Sequence, residues 1–322
     1  MTHFDAPDYV SDVAVNPGAP VAALVLVHLA PTASVPAGEI LSLDLSTSST
    51  SPLVGGADPR ESLGAPVWWF DNRGLLFQRE DITTVGTSYA GGATVQYPSR
   101  VEQVNADGSG RTILAEDARQ PAASPDGVTF AFVRRVAQGP TLVIRSLLDG
   151  SERVLIDAGQ FGDIVSPRYS PRGDRIAFMA PEGVFGPSPA ALTFGVLLEV
   201  WPTSRLSPRV AVGRTSADRL RPGTRHAGPW SSAGFSAAFL GAPTRVAHGA
   251  PWDLWVVAVD GTSPPVQLAP LGADDGTVAW SPDGAQLFVY GGTGSFIVDA
   301  NSAEVTPLSF VSGYGATSWV SE

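Results

Sequence analysis

The 322-residue chain contains no cysteine, which excludes disulfides, thiolate metal ligation and thiol nucleophiles. It has no lysine either: all 20 basic residues are arginine. Schiff-base chemistry and a lysine general base are therefore unavailable. Histidine is scarce, with four residues, and none stands in a His-x-His or His-Glu-x-x-His pattern. No metal site, cofactor or catalytic set is expected on that ground. Positive charge is in the minority, and the formal net charge of −11 argues against nucleic acid or anionic membrane surfaces as general partners. The apolar run Ala19 to Ala30 is too short to span a bilayer, so no membrane insertion is expected. Residues 1–12 carry Asp5, Asp8 and Asp12, no arginine and no apolar core of a secretion signal. The compartment stays open, periplasmic or secreted included. No stretch sustains a helical period over three turns.

What is abundant is turn chemistry. Glycine (35) and proline (28) punctuate short runs of valine, threonine and aromatics, the composition of an all-β protein. One phrase recurs. Trp280-Ser281-Pro282-Asp283-Gly284 precedes the apolar run Leu287–Tyr290, Tyr169-Ser170-Pro171-Arg172-Gly173 precedes Ile176–Phe178, and Ala123-Ser124-Pro125-Asp126-Gly127 precedes Phe130–Phe132. Proline presets φ for the turn and Asp-Gly tolerates the positive φ of a tight reversal. Looser copies lie at Trp230–Gly234, Phe70–Gly74 and Val15–Gly18. Anchors at 15, 70, 123, 169, 230 and 280 give spacings of 55, 53, 46, 61 and 50 residues. That period belongs to propeller blades, in which one four-stranded sheet cannot bury both faces alone.

At these residues the chain resembles the TolB-like family of β-propellers, whose repeat is an aromatic-Ser-Pro-Asp-Gly turn followed by an Ile-Ala-Phe-type strand. The resemblance implies a single all-β domain, a six-bladed β-propeller of four-stranded antiparallel blades at 12–54, 66–115, 121–157, 166–213, 228–269 and 276–310. A further strand, 316–320, carries Trp319 at a spacing of 39 from Trp280. It either completes the first blade, displacing Val13–Asn16, or caps the seam of the ring. Propellers of this family serve as binding platforms, as enzymes and as gates on peptidases, so the resemblance leaves function open.

Strands of a blade alternate in direction, so connections after second and fourth strands share one face. Every long connection falls there: 81–99, 181–189 and 243–252 after second strands, and 55–65, 158–166 and 214–229 after fourth strands. Long loops on a rigid scaffold commonly carry function. Arg219, Arg221, Arg225 and His226 lie in 214–226, a guanidinium cluster suited to a carboxylate or phosphate; pairing with Asp218, Asp274 and Asp275 is the structural alternative. His28, His226 and His248 fall in loops of this face, as do Trp252 and Tyr89, which could contact a ligand. Gly86-Thr87-Ser88-Tyr89-Ala90 departs from Gly-x-Ser-x-Gly at Ala90 and reads as a Gly-rich loop. The Asp-Gly pairs read as hairpin turns, not calcium ligands. The sequence expectation is a monomeric, non-catalytic module binding a protein, peptide or glycan on its long-loop face. The alternative is a lyase or hydrolase with an Arg/His site in the central funnel.

Overall fold

A computed structural model describes residues 9–28, 37–55, 61–81, 87–88, 95–96, 98–182, 195–203, 210–215, 230–241, 252–258, 260, 263–273, 276–291 and 294–308. The expected strand 316–320 lies outside the described residues. Among those described there is no helix. The chain divides into two compact units, residues 1–158 and 159–322.

The first unit holds three antiparallel four-stranded sheets. The first is β1 (Tyr9–Val15), β2 (Val21–His28), β3 (Ala37–Asp44) and β4 (Thr50–Val54). The second is built from β5 (Glu61–Trp68), β6 (Gly74–Asp81), β9 (Ser99–Asn105) and β10 (Thr112–Glu116). Between β6 and β9 a two-stranded ribbon, β7 (Thr87–Ser88) and β8 (Val95–Gln96), leaves the sheet. The third comprises β11 (Arg119–Ala123), β12 (Thr129–Val136), β13 (Gly139–Ser146) and β14 (Glu152–Ile156).

The second unit continues with β15 (Val165–Tyr169), β16 (Arg175–Glu182), β17 (Gly195–Pro202) and β18 (Val210–Thr215). A three-stranded sheet follows: β19 (Ser236–Gly241), β20 (Trp252–Ala258) and β21 (Val266–Ala273). The last is β22 (Gly276–Trp280), β23 (Gln286–Gly291), β24 (Gly294–Asp299) and β25 (Val305–Leu308). The expectation of four strands in every blade is corrected here. Among the described residues the first strand of the fifth sheet is one bridge, Trp230 to Ala237. Pro229, just before it, has no N–H to give a ladder.

Sequential sheets pack face to face within each unit, which explains the continuous apolar runs. Successive side chains of a strand point to opposite faces. Leu75 and Phe77 of β6 join Ala23, Val25, Ile40 and Leu53 of the first sheet. Leu76, between them, joins Phe130, Phe132 and Val143 of the third. In the second unit Ala177 and Met179 pack on Trp230, Phe239 and Val257. Ala238 and Leu240 turn the other way onto Val278, Leu287 and Val289.

Register comes from the turn between first and second strands. It spans five residues in every sheet: 16–20, 69–73, 124–128, 170–174, 231–235 and 281–285. The N–H of its first residue donates to the carbonyl of the residue that opens the next strand, from Asn16 to Val21, Trp69 to Gly74, Ser124 to Thr129, Ser170 to Arg175, Ser231 to Ser236 and Ser281 to Gln286, at 2.8 to 3.1 Å. The serine hydroxyl closes the loop by donating to an aspartate: Ser124 to Asp126 at 2.7 Å, Ser170 to Asp174 at 2.9 Å, Ser281 to Asp283 at 2.5 Å. In the last four of these turns the fourth residue is a left-handed glycine, Gly127, Gly173, Gly234 and Gly284 at φ 69° to 73°.

In the second sheet Asn72 holds that left-handed position at φ 61°. Gly74, which resembles the turn glycine in sequence, opens β6 instead. The anchor of this blade is therefore Trp68, not Phe70. Tyr169, Trp230 and Trp280 stand at the equivalent first-strand position of their sheets.

The corrected alignment exposes a repeated bond. Trp68 Nε1 donates to Ala14 O at 2.9 Å, and Trp230 Nε1 donates to Arg168 O at 3.2 Å. Each acceptor stands one residue before the anchor of the preceding sheet. Trp69, 1% exposed, finds no partner for its own Nε1 among the described residues. Trp68→Phe is therefore expected to cost about 1–2 kcal/mol in urea unfolding, because the half-buried Ala14 carbonyl loses its donor. Trp69→Phe, which removes no bond, should cost less. Equal losses for the two would contradict this role of Trp68.

Candidate functional site

The two ends of each sheet differ. First-to-second turns are five residues long throughout, and third-to-fourth connections (45–49, 106–111, 147–151, 203–209, 259–265, 300–304) run from five to seven. At the other end, second-to-third connections are 29–36, 82–98, 137–138, 183–194, 242–251 and 292–293. Connections into the next sheet are 55–60, 117–118, 157–164, 216–229 and 274–275. One end is uniform and the other varies from two residues to seventeen.

The uniform end is tied down by short polar bonds. Exposed Asp149 accepts from the Ser151 hydroxyl at 2.7 Å and its amide at 3.0 Å, and these bonds hold its pKa down at about 2. Asp44, Asp107 and Asp299 occupy the same turn and are also lowered, Asp44 and Asp107 chiefly by the hydroxyls of Ser46 and Ser109, Asp299 by the Ser302 amide. The Asp-Gly pairs at 107–108 and 149–150 belong to these turns.

At the variable end the first strands carry bulges. Register shifts fall between Gly64 and Val67, Arg119 and Ala122, and Val165 and Arg168. In each bulge a residue before proline is left-handed: Ala65 (φ 59°), Gln120 (φ 50°) and Ser166 (φ 51°). Such backbone is strained for a non-glycine residue and needs support. Buried Asp12 accepts the Ala65 N–H at 3.2 Å, and the Gln78 carboxamide oxygen accepts the Gln120 N–H at 2.8 Å. The bulge also explains why β5 starts at Glu61 and not at Pro66: the strand carries a proline through an unpaired position.

Most of the expected site residues, Arg219, Arg221, Arg225, His226, His248 and Tyr89, lie outside the described residues. His28 is not in a loop. It ends β2, with Nε2 2.9 Å from Glu39 Oε1 on β3, a cross-strand pairing that lengthens the hairpin beyond the apolar run. Trp252 is also not in a loop but opens β20, in register with Ala273. Ser88 of the Gly-rich segment lies in β7, paired with Val95.

The structure adds a charged array that sequence reading missed. Glu102 on β9 is 2% exposed and accepts from Arg100 Nε on one oxygen and Arg111 Nε on the other, both at 2.6 Å. Arg79 on β6 lies 3.8 Å away and also pairs with Glu61 on β5. Arg111 stacks over the Phe77 ring at 5.5 Å. The signal was Arg100-Val101-Glu102 in a strand, where alternate residues share a face. Among the described residues no three His, Asp or Glu side chains gather as a metal site would require.

No family model matches the chain, and no curated protein matches its sequence. Solved structures do match. TolB from Acinetobacter baumannii superposes with a TM-score of 0.55 at 15% identity, over 92% of this chain and 65% of that one. The β-propeller domain of the Trilobed protease from Pyrococcus furiosus gives 0.57 at 13% identity, over 96% and 88%. An oligogalacturonate lyase in complex with manganese gives 0.57 at 12%, over 92% and 76%. The fold is thus an all-β propeller arrangement, and the structural neighbours are TolB-like β-propellers. This chain spans just under two thirds of the TolB chain it matches.

Burial alone would raise the Glu102 pKa, but the hydrogen bonds from Arg111 and Arg100 outweigh it and leave it below the ordinary 4.5. A lowered carboxylate pKa stabilises the fold above the unfolded value and loses that contribution as pH falls through the folded one. Glu102→Gln should therefore cost about 2 kcal/mol at pH 7, less than for a fully buried pair because the arginines are partly solvated. The gap between variant and parent, read from urea midpoints, should narrow as the pH drops below 4.5. A gap that holds constant into acid would remove the carboxylate from this role.

Proposed function

We propose that the protein is a six-bladed, non-catalytic propeller that binds a peptide, protein or glycan partner at the variable end of its sheets. This count takes the three-stranded fifth sheet, with its bridge at Trp230, as a blade. The observation that carries the reading is the division between the ends: an invariant five-residue turn at one, connections of two to seventeen residues at the other. Turn length is constant from sheet to sheet where it sets register. Where the chain carries long segments between fixed strands, their side chains are available for a partner.

Within this reading Arg219, Arg221, Arg225, His226 and His248 belong to the long connections 216–229 and 242–251, with Tyr89, Trp252 and His28 beside others. An arginine group there suits the carboxylate of a peptide or an acidic sugar. The protein acts as a monomer.

The test is a peptide and glycan array probed with the parent protein and with Arg221→Ala. Ligands retained by the parent should bind the variant about tenfold more weakly, a loss of about 1.4 kcal/mol. The melting temperature should barely move, since exposed positions contribute little to stability. Chemical conversion of a bound array ligand, or a stoichiometric divalent ion in the purified protein, would replace this reading with the enzyme.

A further inference from the structure

The arginines around Glu102 are arranged differently from those of the next sheet. On the third sheet Arg134 forks onto Glu152 with Nη1 at 2.6 Å and Nη2 at 3.1 Å, and Arg145 adds Nη1 at 3.1 Å. The end-on edge of Arg134 is thereby occupied. On the second sheet Arg100 and Arg111 each give Glu102 only Nε. Among the described residues neither makes another hydrogen bond or ion pair, so both keep the Nη1/Nη2 edge that suits a carboxylate. Their side chains are 32% and 35% exposed.

Three further features bear on what would dock there. Arg79, Arg100 and Arg111 outnumber the carboxylates they pair with, Glu61 and Glu102, and even with Glu116 this face is neutral in a protein of net −11. Ile113 lies directly opposite Glu102 in the register, on the same face, and is 50% exposed. β10, which carries it, is the edge strand of its sheet. Glu116 lies opposite Arg100 but forms no ion pair with it among the described residues.

We propose that Arg100 and Arg111 form a receptor for the carboxylates of an acidic peptide segment on the flank of the second sheet. It is distinct from the long connections on which the proposed function rests. Each guanidinium is half neutralised by the shared Glu102, which favours a singly charged carboxylate over a dianion such as phosphate. Glu102 holds the two cations in place, so less side-chain entropy is lost on binding. Ile113 offers apolar contact that a peptide side chain can use and a free oxyanion cannot.

The experiment is fluorescence anisotropy with a labelled hexaglutamate peptide on the full chain at low ionic strength. Saturable binding that weakens with salt is expected. Arg100→Gln should weaken it about fivefold or more, the scale of one half-exposed charged contact. Ile113→Glu sets a carboxylate beside the open guanidinium edges, where it competes with and repels a peptide carboxylate, and should do the same. Arg134→Gln should leave binding unchanged. No binding by the parent, equal loss with Arg134→Gln, or no effect of Ile113→Glu in a protein of unaltered circular dichroism would each overturn the proposal. Displacement by inorganic phosphate as readily as by glutamate peptide would make it a free-oxyanion site and overturn the peptide assignment.

Discussion

The five-residue turn between first and second strands is the constraint on which each sheet depends. A strand slipped by one residue would move every side chain to the wrong face. In a sheet buried on both faces there is no polar side to absorb the error. The backbone bond across the turn, from Ser281 to Gln286 or Ser124 to Thr129, fixes the pairing at one point, and the ladder follows from it. The serine–aspartate bond holds the turn in one conformation. At Gly284 the φ of 72° demands glycine, whereas a Cβ there would only push aside the Ser232 hydroxyl of the preceding sheet's turn, 2.9 Å away.

With register set, packing between sequential sheets supplies the stability. Leu75, Leu76 and Phe77 are all fully buried because the strand between two sheets has a core on each side. Apolar burial of this kind is non-directional and would tolerate sliding. The indole bonds from Trp68 to Ala14 O and from Trp230 to Arg168 O are directional. They tie the second sheet to the first and the fifth to the fourth at the same relative place. The Asp12 carboxylate on the Ala65 amide makes the same kind of tie nearer the variable end.

The repeat was legible in the sequence because its turn uses residues with few alternatives: proline for φ, Asp-Gly for the reversal. Where those residues change, reading slipped. Asn72 does the work of glycine in the second sheet, and Gly74 then invited an anchor at Phe70, two residues late. The start of β5 was hidden by Pro66, because a bulge that tolerates proline leaves no compositional trace. His28 and Trp252 read as loop residues because polar neighbours and Pro251 suggest ends, yet each pairs across its hairpin, with Ala37 and Ala273, so the strands include them. Of the Glu102 array only Arg100-Val101-Glu102 was legible, as alternate residues of one strand; that Arg79 and Arg111 join it depends on which strands pair and in what register.

That array also shows how an acidic chain without lysine can present positive charge. A carboxylate buried as deeply as Glu102 is costly unless its oxygens are fully engaged. Two Nε donors engage both of them, and the lowered pKa marks the attraction as larger than the burial cost. An apolar residue at 102 would pack more cheaply but would leave Arg100 and Arg111 as free, solvated chains. The choice of Nε over the terminal nitrogens therefore matters. It orients the guanidiniums while leaving their remaining hydrogen-bonding edge unspent, whereas the fork of Arg134 on Glu152 closes that edge. The same amino acids in the same fold thus serve two purposes. On the third sheet the arginine holds its neighbour; on the second, the carboxylate holds the arginines ready for something else.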